Sequence, residues 1–381
     1  MVPRYTRRQF FRVAGGGALG CAAVPAARAA EGGAEYENPL PRWRGFNLIG
    51  FFNALGAERH SRGRVRPDDC RWIRQMGFNF VRLPMDYWFW VDSDQRETRR
   101  MDPEAVMNID ENALKSVDRA VEVARENDLH VSLNFHRAPG YCVNNQDREP
   151  FSLWQDQRAQ KACVHHWKVF AERYKDVPAD ELSFNLVNEP RRPKKGRMTA
   201  ATYADVMNRA AEAIWSVSPE RTIIVDGLTW AHEPVDGLVD SGMAQAVHGY
   251  VPMRISHYRA SWVHGSEDWP KPTWPLKNRQ GKVVYDRSRL EDYYRPWGEL
   301  VKKGVGVHCG ELGCYKHTPH DVFLAWMEDI LQILHHYDIG YALWNFRGPF
   351  GVLDSGRDDV HYEDWHGHKL DRKLLDLLQR Y

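Results

Sequence analysis

The chain alternates short apolar runs with longer segments in which apolar residues recur at helical spacing. The runs have the length of buried strands, and the segments between them have the periodicity of amphipathic helices. The predicted strands are residues 45–52, 78–83, 130–135, 182–187, 222–225, 245–250, 305–310 and 340–346. The predicted helices include residues 66–76, 110–127, 156–174, 199–217, 321–337 and 370–378. Strands separated by long crossovers imply parallel pairing.

Eight strand-helix repeats over about 340 residues predict a single α/β domain of the (β/α)8 TIM barrel type, residues 45–381. The alternative is a doubly wound open sheet. That fold normally has a glycine-rich phosphate turn after its first strand, and the segment from Gly45 to Gly50 does not have the required spacing. Residues 251–294 are rich in Pro and Trp with little periodicity, which predicts an extended loop after strand six.

The N-terminus has the pattern of an export signal. Arg7 and Arg8 precede a mild apolar run, residues 13–25, which ends near the small-residue site 27–29. This order predicts a twin-arginine-type signal peptide over residues 1–30, a linker over 31–44, and a periplasmic or extracellular protein. Cys21 is a minor candidate for lipidation. No other segment approaches the length of a membrane span.

Charge and composition narrow the ligand class. Lys and Arg total 52 against 51 Asp and Glu, so the formal charge of +1 gives no electrostatic reason to expect nucleic acid or a membrane surface. The 15 Trp residues favour a ligand bound by ring stacking, such as an oligo- or polysaccharide. Several aromatic residues are expected either to line a binding groove or to pack as core or loop anchors: Trp88, Trp90, Tyr141, Trp154, Trp230, Trp262, Trp269 and Trp274.

The cysteines indicate neither a metal ribbon nor a redox centre, because no C-x-x-C spacing occurs. The predicted mature chain has five, an odd number: Cys70, Cys142, Cys163, Cys309 and Cys314. Packing roles are favoured over a disulfide, and the pairing stays open.

Polar residues follow the predicted strands at their carboxyl ends. In a (β/α)8 barrel these ends converge on one site. The residues concerned are Arg82, His136, Asn188, Glu189, His248, Tyr250, Glu311 and Trp344. Glu189 follows the buried run 182–187 and precedes Pro190, and Glu311 follows the seventh run. Two carboxylates at the ends of inner strands predict acid-base chemistry.

These residues lie in motifs that resemble glycoside hydrolase family 5, the cellulase family, over nearly the whole predicted mature chain. The motifs are Phe80-Val-Arg82-Leu-Pro84, Asn134-Phe-His136-Arg-Ala-Pro-Gly140, Asn185-Leu-Val-Asn188-Glu189-Pro190, His248-Gly-Tyr250-Val-Pro252, Gly310-Glu311-Leu-Gly313 and Ala342-Leu-Trp344-Asn-Phe346. The resemblance implies that Glu189 is the acid/base, that Glu311 is the nucleophile, and that the other six residues of the convergent set bind substrate.

The chemistry of a retaining glycosidase gives these roles a physical meaning. Two carboxyl groups about 5 to 5.5 Å apart must differ in protonation, since one donates a proton while the other attacks. We expect Arg82 and Tyr250 to keep Glu311 ionised, and Glu189 to keep its proton longer. Asn188 is expected to contact the 2-hydroxyl of the sugar, with Trp344 as an apolar platform. No metal or cofactor is needed.

Other functions stay open at this point. Within the family, an endo-β-1,4-glucanase is preferred, followed by another β-glucosidic exo or endo hydrolase and then a β-mannanase. A non-catalytic carbohydrate-binding barrel would retain the aromatic residues without the chemistry. A metal-dependent hydrolase using His136, His248, His257, His264 and His308 lacks the usual ligand spacing. A serine hydrolase is disfavoured because no G-x-S-x-G motif occurs.

Overall fold

The computed structural model describes residues 35–54, 63–91, 101, 103–144 and 146–381. The predicted signal peptide, residues 1–30, lies outside them. The described strands of the main barrel are β1 (Arg44–Asn47), β2 (Phe80–Asp86), β3 (His130–Ala138), β4 (Leu182–Asn185), β5 (Thr222–Asp226), β6 (Ala244–Gly249), β7 (Val307–Leu312) and β8 (Gly340–Leu343). Each pairs in parallel with its neighbours along the chain, and β1 also pairs with β8. The barrel is therefore closed, which confirms the predicted (β/α)8 fold.

The first strand requires glycine where it packs beside β2. Gly45 is in register with Phe80, and a Cβ atom at position 45 would lie 1.7 Å from the Phe80 carbonyl oxygen. Strand β1 is shorter than predicted, because a 3-10 turn, Ile49–Phe51, follows it. Strand β8 likewise ends at Leu343, before Trp344.

Helices surround the barrel. Those of nine residues or more within the described residues are α1 (Pro67–Gln75), α2 (Glu111–Arg125), α3 (Gln157–Arg173), α4 (Ala200–Trp215), α5 (Arg287–Lys302), α6 (His320–His336) and α7 (Arg372–Arg380). Several begin at a side chain that accepts a hydrogen bond from the first turn: Asp110, Asp156, Thr199, Asp286 and Asp371. No described helix has the length and apolarity needed to cross a membrane.

The loop after β6 ends earlier than predicted. It contains a helical turn, Met253–Ser256, and a short hairpin, and α5 begins at Arg287 inside the stretch predicted as loop. Pro296 lies within α5, and proline in a helix interior normally counts against a helix. Burial of one face against the barrel, including Trp297, outweighs that penalty.

The amino end of the barrel is filled by apolar and aromatic side chains. Trp43 stacks on His130 at 3.8 Å between ring centroids, and Phe80 lies 4.7 Å from His308. Just before β1, the buried Asn38 donates to the Val307 carbonyl oxygen at 2.6 Å. Because this end is closed by packing, the polar interior at the carboxyl end of the strands is the place for a site.

The cysteines are packing residues. None of the five described cysteines forms a disulfide, and all are buried. Burial raises the pKa of the Cys70 and Cys163 thiols to about 12, so both stay protonated at neutral pH.

Candidate active site

Two glutamates meet at the carboxyl end of the barrel. Glu311 is on β7, and Glu189 follows β4 by four residues. One oxygen of each carboxylate and one ring nitrogen of His248 lie within 4.8 Å of one another. The side chain of Glu189 is 18% exposed and that of Glu311 is 4% exposed. The predicted convergence is thus what the structure shows, with Glu189 the more accessible acid.

Glu189 lies beyond the end of β4, and contacts of its own backbone hold it in place. Its φ of +48° is in the left-handed region, which non-glycine residues seldom adopt. The Glu189 N–H donates to Asp226 Oδ2 at 2.9 Å, and the Tyr141 hydroxyl donates to the Glu189 carbonyl oxygen at 2.7 Å. These two contacts compensate for an unfavourable conformation and fix where the carboxylate emerges.

Glu311 is held by its side chain. Arg82 Nη1 donates to Glu311 Oε1 at 2.7 Å, and the Tyr250 hydroxyl donates to Oε2 at 3.0 Å. Each oxygen thus accepts a hydrogen bond, which fixes the rotation of the carboxylate and leaves its remaining lone pairs for a substrate.

Arg82 is the hub of the buried polar layer. Besides Glu311, its guanidinium donates to Asn47 at 3.0 Å, to Asn185 at 2.9 Å and to Asn188 at 2.7 Å. A planar guanidinium with several donors suits this arrangement, which an ammonium group could not reproduce. Four strand ends are therefore tied to one cation.

His248 lies between the two glutamates. Its Nδ1 is 2.8 Å from Glu189 Oε1 and 3.7 Å from Glu311 Oε2, and its Nε2 is 3.3 Å from Asp226 Oδ2. Burial alone would lower the pKa of His248, but the carboxylates of Glu311 and Asp226 and the hydrogen bond to Glu189 outweigh it and raise the pKa to about 9. His248 is therefore a cation at neutral pH.

The positive charge of His248 reverses the expected order of the pKa values of Glu189 and Glu311. Burial raises the pKa of Glu311 above its usual range, although His248 and Arg82 oppose the effect. Burial acts in the same direction on Glu189, but the hydrogen bond and charge of His248 outweigh it and lower the pKa. The sequence-based expectation that Glu189 holds its proton longer omitted His248. In the free site that proton lies on Nδ1 of His248, one hydrogen bond away from Glu189.

The remaining predicted residues border the same cleft. His136 is buried, with its ring centroid 4.4 Å from Phe52 and 5.8 Å from Trp344. Burial and the nearby Arg82 hold the pKa of His136 well below its usual range, so it is neutral. The ring nitrogens of His136 and Nδ2 of Asn188 are buried without a hydrogen-bond partner of normal geometry among the described residues. Both side chains thus keep capacity for a sugar hydroxyl.

The candidate groove aromatics separate into three groups by exposure. Trp88, Trp90, Tyr141 and Trp154 are buried and pack in the interior, where the Tyr141 hydroxyl also holds the backbone of Glu189. Trp269 and Trp274 are half-buried, and Trp274 donates to Asp329 of α6 at 2.7 Å. Trp230 and Trp262 are 40% and 57% exposed. These two remain the candidates for stacking on a ligand.

The exposed tryptophans lie at two different edges. Trp262 is part of an aromatic cluster with Tyr315 and Phe350, at centroid distances of 4.8 and 6.3 Å. Phe350 is in turn 6.3 Å from Tyr250, the hydrogen-bond donor to Glu311. Trp230 lies on the side of Glu189, since the backbone N–H of Trp230 donates to the Pro190 carbonyl oxygen at 2.9 Å.

Trp230 is presented by an unusual turn. Thr229, Trp230 and Ala231 have φ values of +56°, +61° and +59°, three successive non-glycine residues in the left-handed region. The turn is closed by hydrogen bonds from Ala231 N–H to the Gly227 carbonyl oxygen at 3.0 Å and from Leu228 N–H to the Glu233 carbonyl oxygen at 2.8 Å. This backbone, like that of Glu189, is held in place by its surroundings.

The segment 351–357, which follows β8, is attached to the loop after β7. Arg357 is buried and donates to the carbonyl oxygens of Thr318 and Cys314 at 2.8 and 2.6 Å. Burial of this cation is compensated by those carbonyls. The segment is thus a fixed wall of the rim.

Sequence reasoning missed Asp226. This fully buried residue ends β5 and accepts from Asn185 Nδ2 at 2.8 Å as well as from the Glu189 N–H. The predicted fifth strand stopped at Val225, one residue short of it. An acidic residue directly after an apolar strand was the available signal, as it was for Glu189 and Glu311. Asn47, Asn134 and Asn185 were also missed as members of the polar layer.

The site is poorly suited to a metal. Glu189, His248 and Glu311 have the spacing of three ligands. However, Nδ1 of His248 already donates to Glu189, and a protonated imidazole has no lone pair for a metal. His308, required by the metal-dependent alternative, lies at the opposite end of the barrel, 3.3 Å from the Trp43 carbonyl oxygen.

Known proteins resemble this chain in sequence and fold. The family model described as "Cellulase (glycosyl hydrolase family 5)" matches residues 43–348. Endoglucanase C of Acetivibrio thermocellus is 26% identical over 345 residues, which cover 84% of this chain and 95% of the relative. Cellodextrinase A of Ruminococcus flavefaciens is 21% identical over 310 residues, covering 78% and 83%.

Solved structures agree with the fold. A crystal structure of a glycoside hydrolase has a TM-score of 0.81 at 38% identity and covers 89% of this chain and 98% of its own. The endoglucanase Cel5A of Thermotoga maritima has a TM-score of 0.67 at 22% identity, with 88% and 96% covered.

Proposed function

Because the chain belongs to glycosyl hydrolase family 5, the cellulase family, and is a glycoside hydrolase, we propose that it is an exported, retaining endo-β-1,4-glucanase. In this proposal Glu189 is the acid/base and Glu311 the nucleophile. The observation that carries the mechanism is the meeting of two differently held carboxylates within 4.8 Å. Two carboxylates this close can flank one glycosidic bond, and the spacing favours a retaining enzyme over an inverting one, whose carboxyl groups are about 6.5 to 9.5 Å apart.

In the first step, Glu311 attacks the anomeric carbon and forms a covalent glycosyl ester while the glycosidic C–O bond breaks. Arg82 and Tyr250 orient the attacking carboxylate through their hydrogen bonds to its two oxygens. Glu189 donates a proton to the leaving oxygen. That proton reaches Glu189 from His248 across their 2.8 Å hydrogen bond, so the pair acts as one acid.

In the second step, Glu189 accepts a proton from water, which attacks the ester and releases the sugar with its original anomeric configuration. Esterification of Glu311 removes one negative charge beside Glu189, which favours its ionised form. Asn188, placed by Arg82, would hydrogen-bond the 2-hydroxyl, and Trp344 would face the apolar side of the ring.

The test combines stereochemistry with two variants. Proton NMR of early products from a soluble β-1,4-glucan oligosaccharide should show the β-anomer first, and Glu311→Gln should lower kcat by about 10⁴-fold or more. Glu189→Ala should be slow on the glucan. On an aryl β-glycoside whose phenolate departs without a proton, added azide should restore turnover of this variant with release of a β-glycosyl azide. Glu212→Gln, an exposed acid on α4, is the matched control with unchanged kcat. An α-anomer as first product would contradict retention.

The preference for an endo-acting β-1,4-glucanase rests on the relatives named endoglucanase that span most of the chain. Another β-glucosidic hydrolase or a β-mannanase would use the same carboxylates. Incubation with β-1,4-glucan, β-1,3-glucan and β-mannan, followed by sizing of products, separates these. Release of monosaccharide alone would contradict endo action, and binding without any product would favour the non-catalytic alternative.

The export proposal rests on Arg7 and Arg8 with the apolar run behind them. Arg7→Lys combined with Arg8→Lys should retain the full-length precursor in the cytoplasm, measured by fractionation and immunoblotting. Undiminished export of that double variant would contradict a twin-arginine route.

A further inference from the structure

The segment that follows Glu189 and Pro190 is densely cationic. Residues 191–197 contain no acidic side chain and five cationic ones: Arg191, Arg192, Lys194, Lys195 and Arg197. The whole chain has a formal charge of +1, so overall composition does not account for this density. All five are exposed. Across the part of the chain that the structure describes, no ion pair with a carboxylate includes any of them. We call residues 191–197 the cationic loop.

The cationic loop is fixed at both ends. Arg191 Nη2 donates to the Val143 carbonyl oxygen at 2.7 Å, in the segment that follows β3. Near the other end, Gln155 Nε2 donates to the Gly196 carbonyl oxygen at 2.9 Å. The backbone between these contacts is thus tethered to neighbouring segments of the rim, and the charges stay beside the site.

The cationic loop lies at the same edge of the cleft as the exposed ring of Trp230. The Pro190 carbonyl oxygen accepts a hydrogen bond from the backbone N–H of Trp230, a residue that is 40% exposed. On the same side, Arg192 is close enough to His232 to oppose its protonation, although burial is the main reason why the pKa of His232 is lowered. A chain of sugars stacked on Trp230 would therefore lie within reach of several guanidinium and ammonium groups.

A neutral glucan does not need this loop. Sugar hydroxyls are bound by stacking and by neutral hydrogen bonds, whereas five like charges in seven residues repel one another. Their mutual repulsion is relieved when an anion binds between them. Guanidinium and ammonium groups bind carboxylates through charge-assisted hydrogen bonds, and carboxylates are anionic groups that a polysaccharide can carry.

We propose that the preferred substrate is a β-glucan that carries carboxylate substituents, and that the cationic loop binds these substituents on the leaving-group side of the cleft. The side follows from Glu189, which protonates the departing oxygen and immediately precedes the loop. This inference rests on the proposed hydrolase function of the same site and names its substrate class.

The test compares two polymers with the same backbone. Carboxymethyl cellulose carries carboxylates, and hydroxyethyl cellulose carries neutral groups. We expect the ratio of kcat/KM for the anionic over the neutral polymer to fall about tenfold in the variant Arg192→Gln/Lys194→Gln/Lys195→Gln/Arg197→Gln at low ionic strength. For the wild type the ratio should fall towards that of the variant at about 0.5 M salt, where exposed charges are screened.

A matched control distinguishes an effect of the cationic loop from an effect of the net charge of the protein. Lys194→Gln/Lys195→Gln and Lys175→Gln/Lys303→Gln each remove two exposed cations, but Lys175 and Lys303 lie before β4 and β7, at the opposite end of the barrel. Only the first double variant should lower the ratio, by about threefold. Equal ratios for both double variants would overturn the proposal.

The outcomes also distinguish this proposal from the hydrolase function. Hydrolysis of both polymers with a ratio that the loop variants leave unchanged would overturn the substrate class and leave the hydrolase in place. Absence of hydrolysis of either polymer by the wild type would instead contradict the proposed function. Inhibition by single-stranded DNA at lower concentrations than by polyglucuronate would overturn the assignment in favour of a nucleic-acid ligand.

Discussion

The two ends of the barrel bury histidines with opposite results. At the amino end, burial lowers the pKa of both His130 and His308 to about 3. At the carboxyl end, His248 is just as buried, yet its pKa is raised to about 9. The difference lies in the neighbours: aromatic rings and carbonyl oxygens surround the first pair, and three carboxylates surround His248. The same scaffold thus holds a neutral, packed end and a charged, reactive end.

Among the changes that test this comparison of the two ends, the largest effect on turnover comes from removing the charge at the reactive end. His248→Gln should lower kcat by about 10²-fold, because Glu189 loses its proton source and the buried carboxylates lose a cation. In the wild type, kcat/KM should fall as pH rises through about 9, the pKa of His248. In the variant this alkaline limb should move to lower pH by one unit or more. The measurement is the pH profile of kcat/KM.

A purely structural role for His248 would give a different profile. It would lower the amount of folded enzyme and leave the alkaline limb where it was. Circular dichroism at each pH keeps the two cases apart, and His335→Gln, an exchange on α6 outside the barrel interior, serves as the control.

The next effect concerns packing at the closed end. Trp43 is 4% exposed and stacks on both His130 and Phe80. Trp43→Ala should lower the free energy of unfolding by about 3 to 5 kcal/mol, the usual cost of removing a large buried aromatic side chain. At temperatures where the variant is folded, kcat/KM should stay within about twofold of the wild type. Urea denaturation and steady-state kinetics measure the two quantities. Equal stability with a large loss of kcat would contradict the separation of the two ends.

The smallest effect is a change in the pH dependence of stability. The folded-state pKa of His308 lies below its unfolded value, so the unfolded chain binds the proton first and stability falls as pH drops from about 6.5 towards 3. His308→Gln should reduce this acid-side loss by about 3 kcal/mol. Urea denaturation at pH 7 and pH 4 gives the difference.

The contribution of His248 to the pH dependence of stability has the opposite sign. Its raised pKa contributes stability below about pH 6.5, and this stability is lost as pH rises through about 9.

The strands and the two glutamates could be predicted because their signals are local. An apolar run followed by an acid is visible in sequence, as Glu189 and Glu311 show. Closure of the barrel then follows from the number of repeats. Helix α5 was not predicted, because Pro296 is a local signal against a helix and only contact with the barrel overrides it.

What sequence could not supply was the environment of each side chain. Trp88 and Trp90 are buried and Trp262 is exposed, although all three were candidates for the groove on sequence grounds. The protonation order of Glu189 and Glu311 depends on a histidine from β6, which only the closed barrel places between them. Burial and charge at such a site are properties of the assembled fold, not of any segment.

The left-handed turn at Thr229–Ala231 has a consequence for heat resistance. Each non-glycine residue in that conformation costs roughly 1 kcal/mol or more, so this short segment lowers the melting temperature of the whole enzyme. Glycine at position 231 would recover part of that cost, but it would also let the ring of Trp230 change its direction. The chain therefore gives up some stability for a Trp230 surface that is already shaped before substrate arrives.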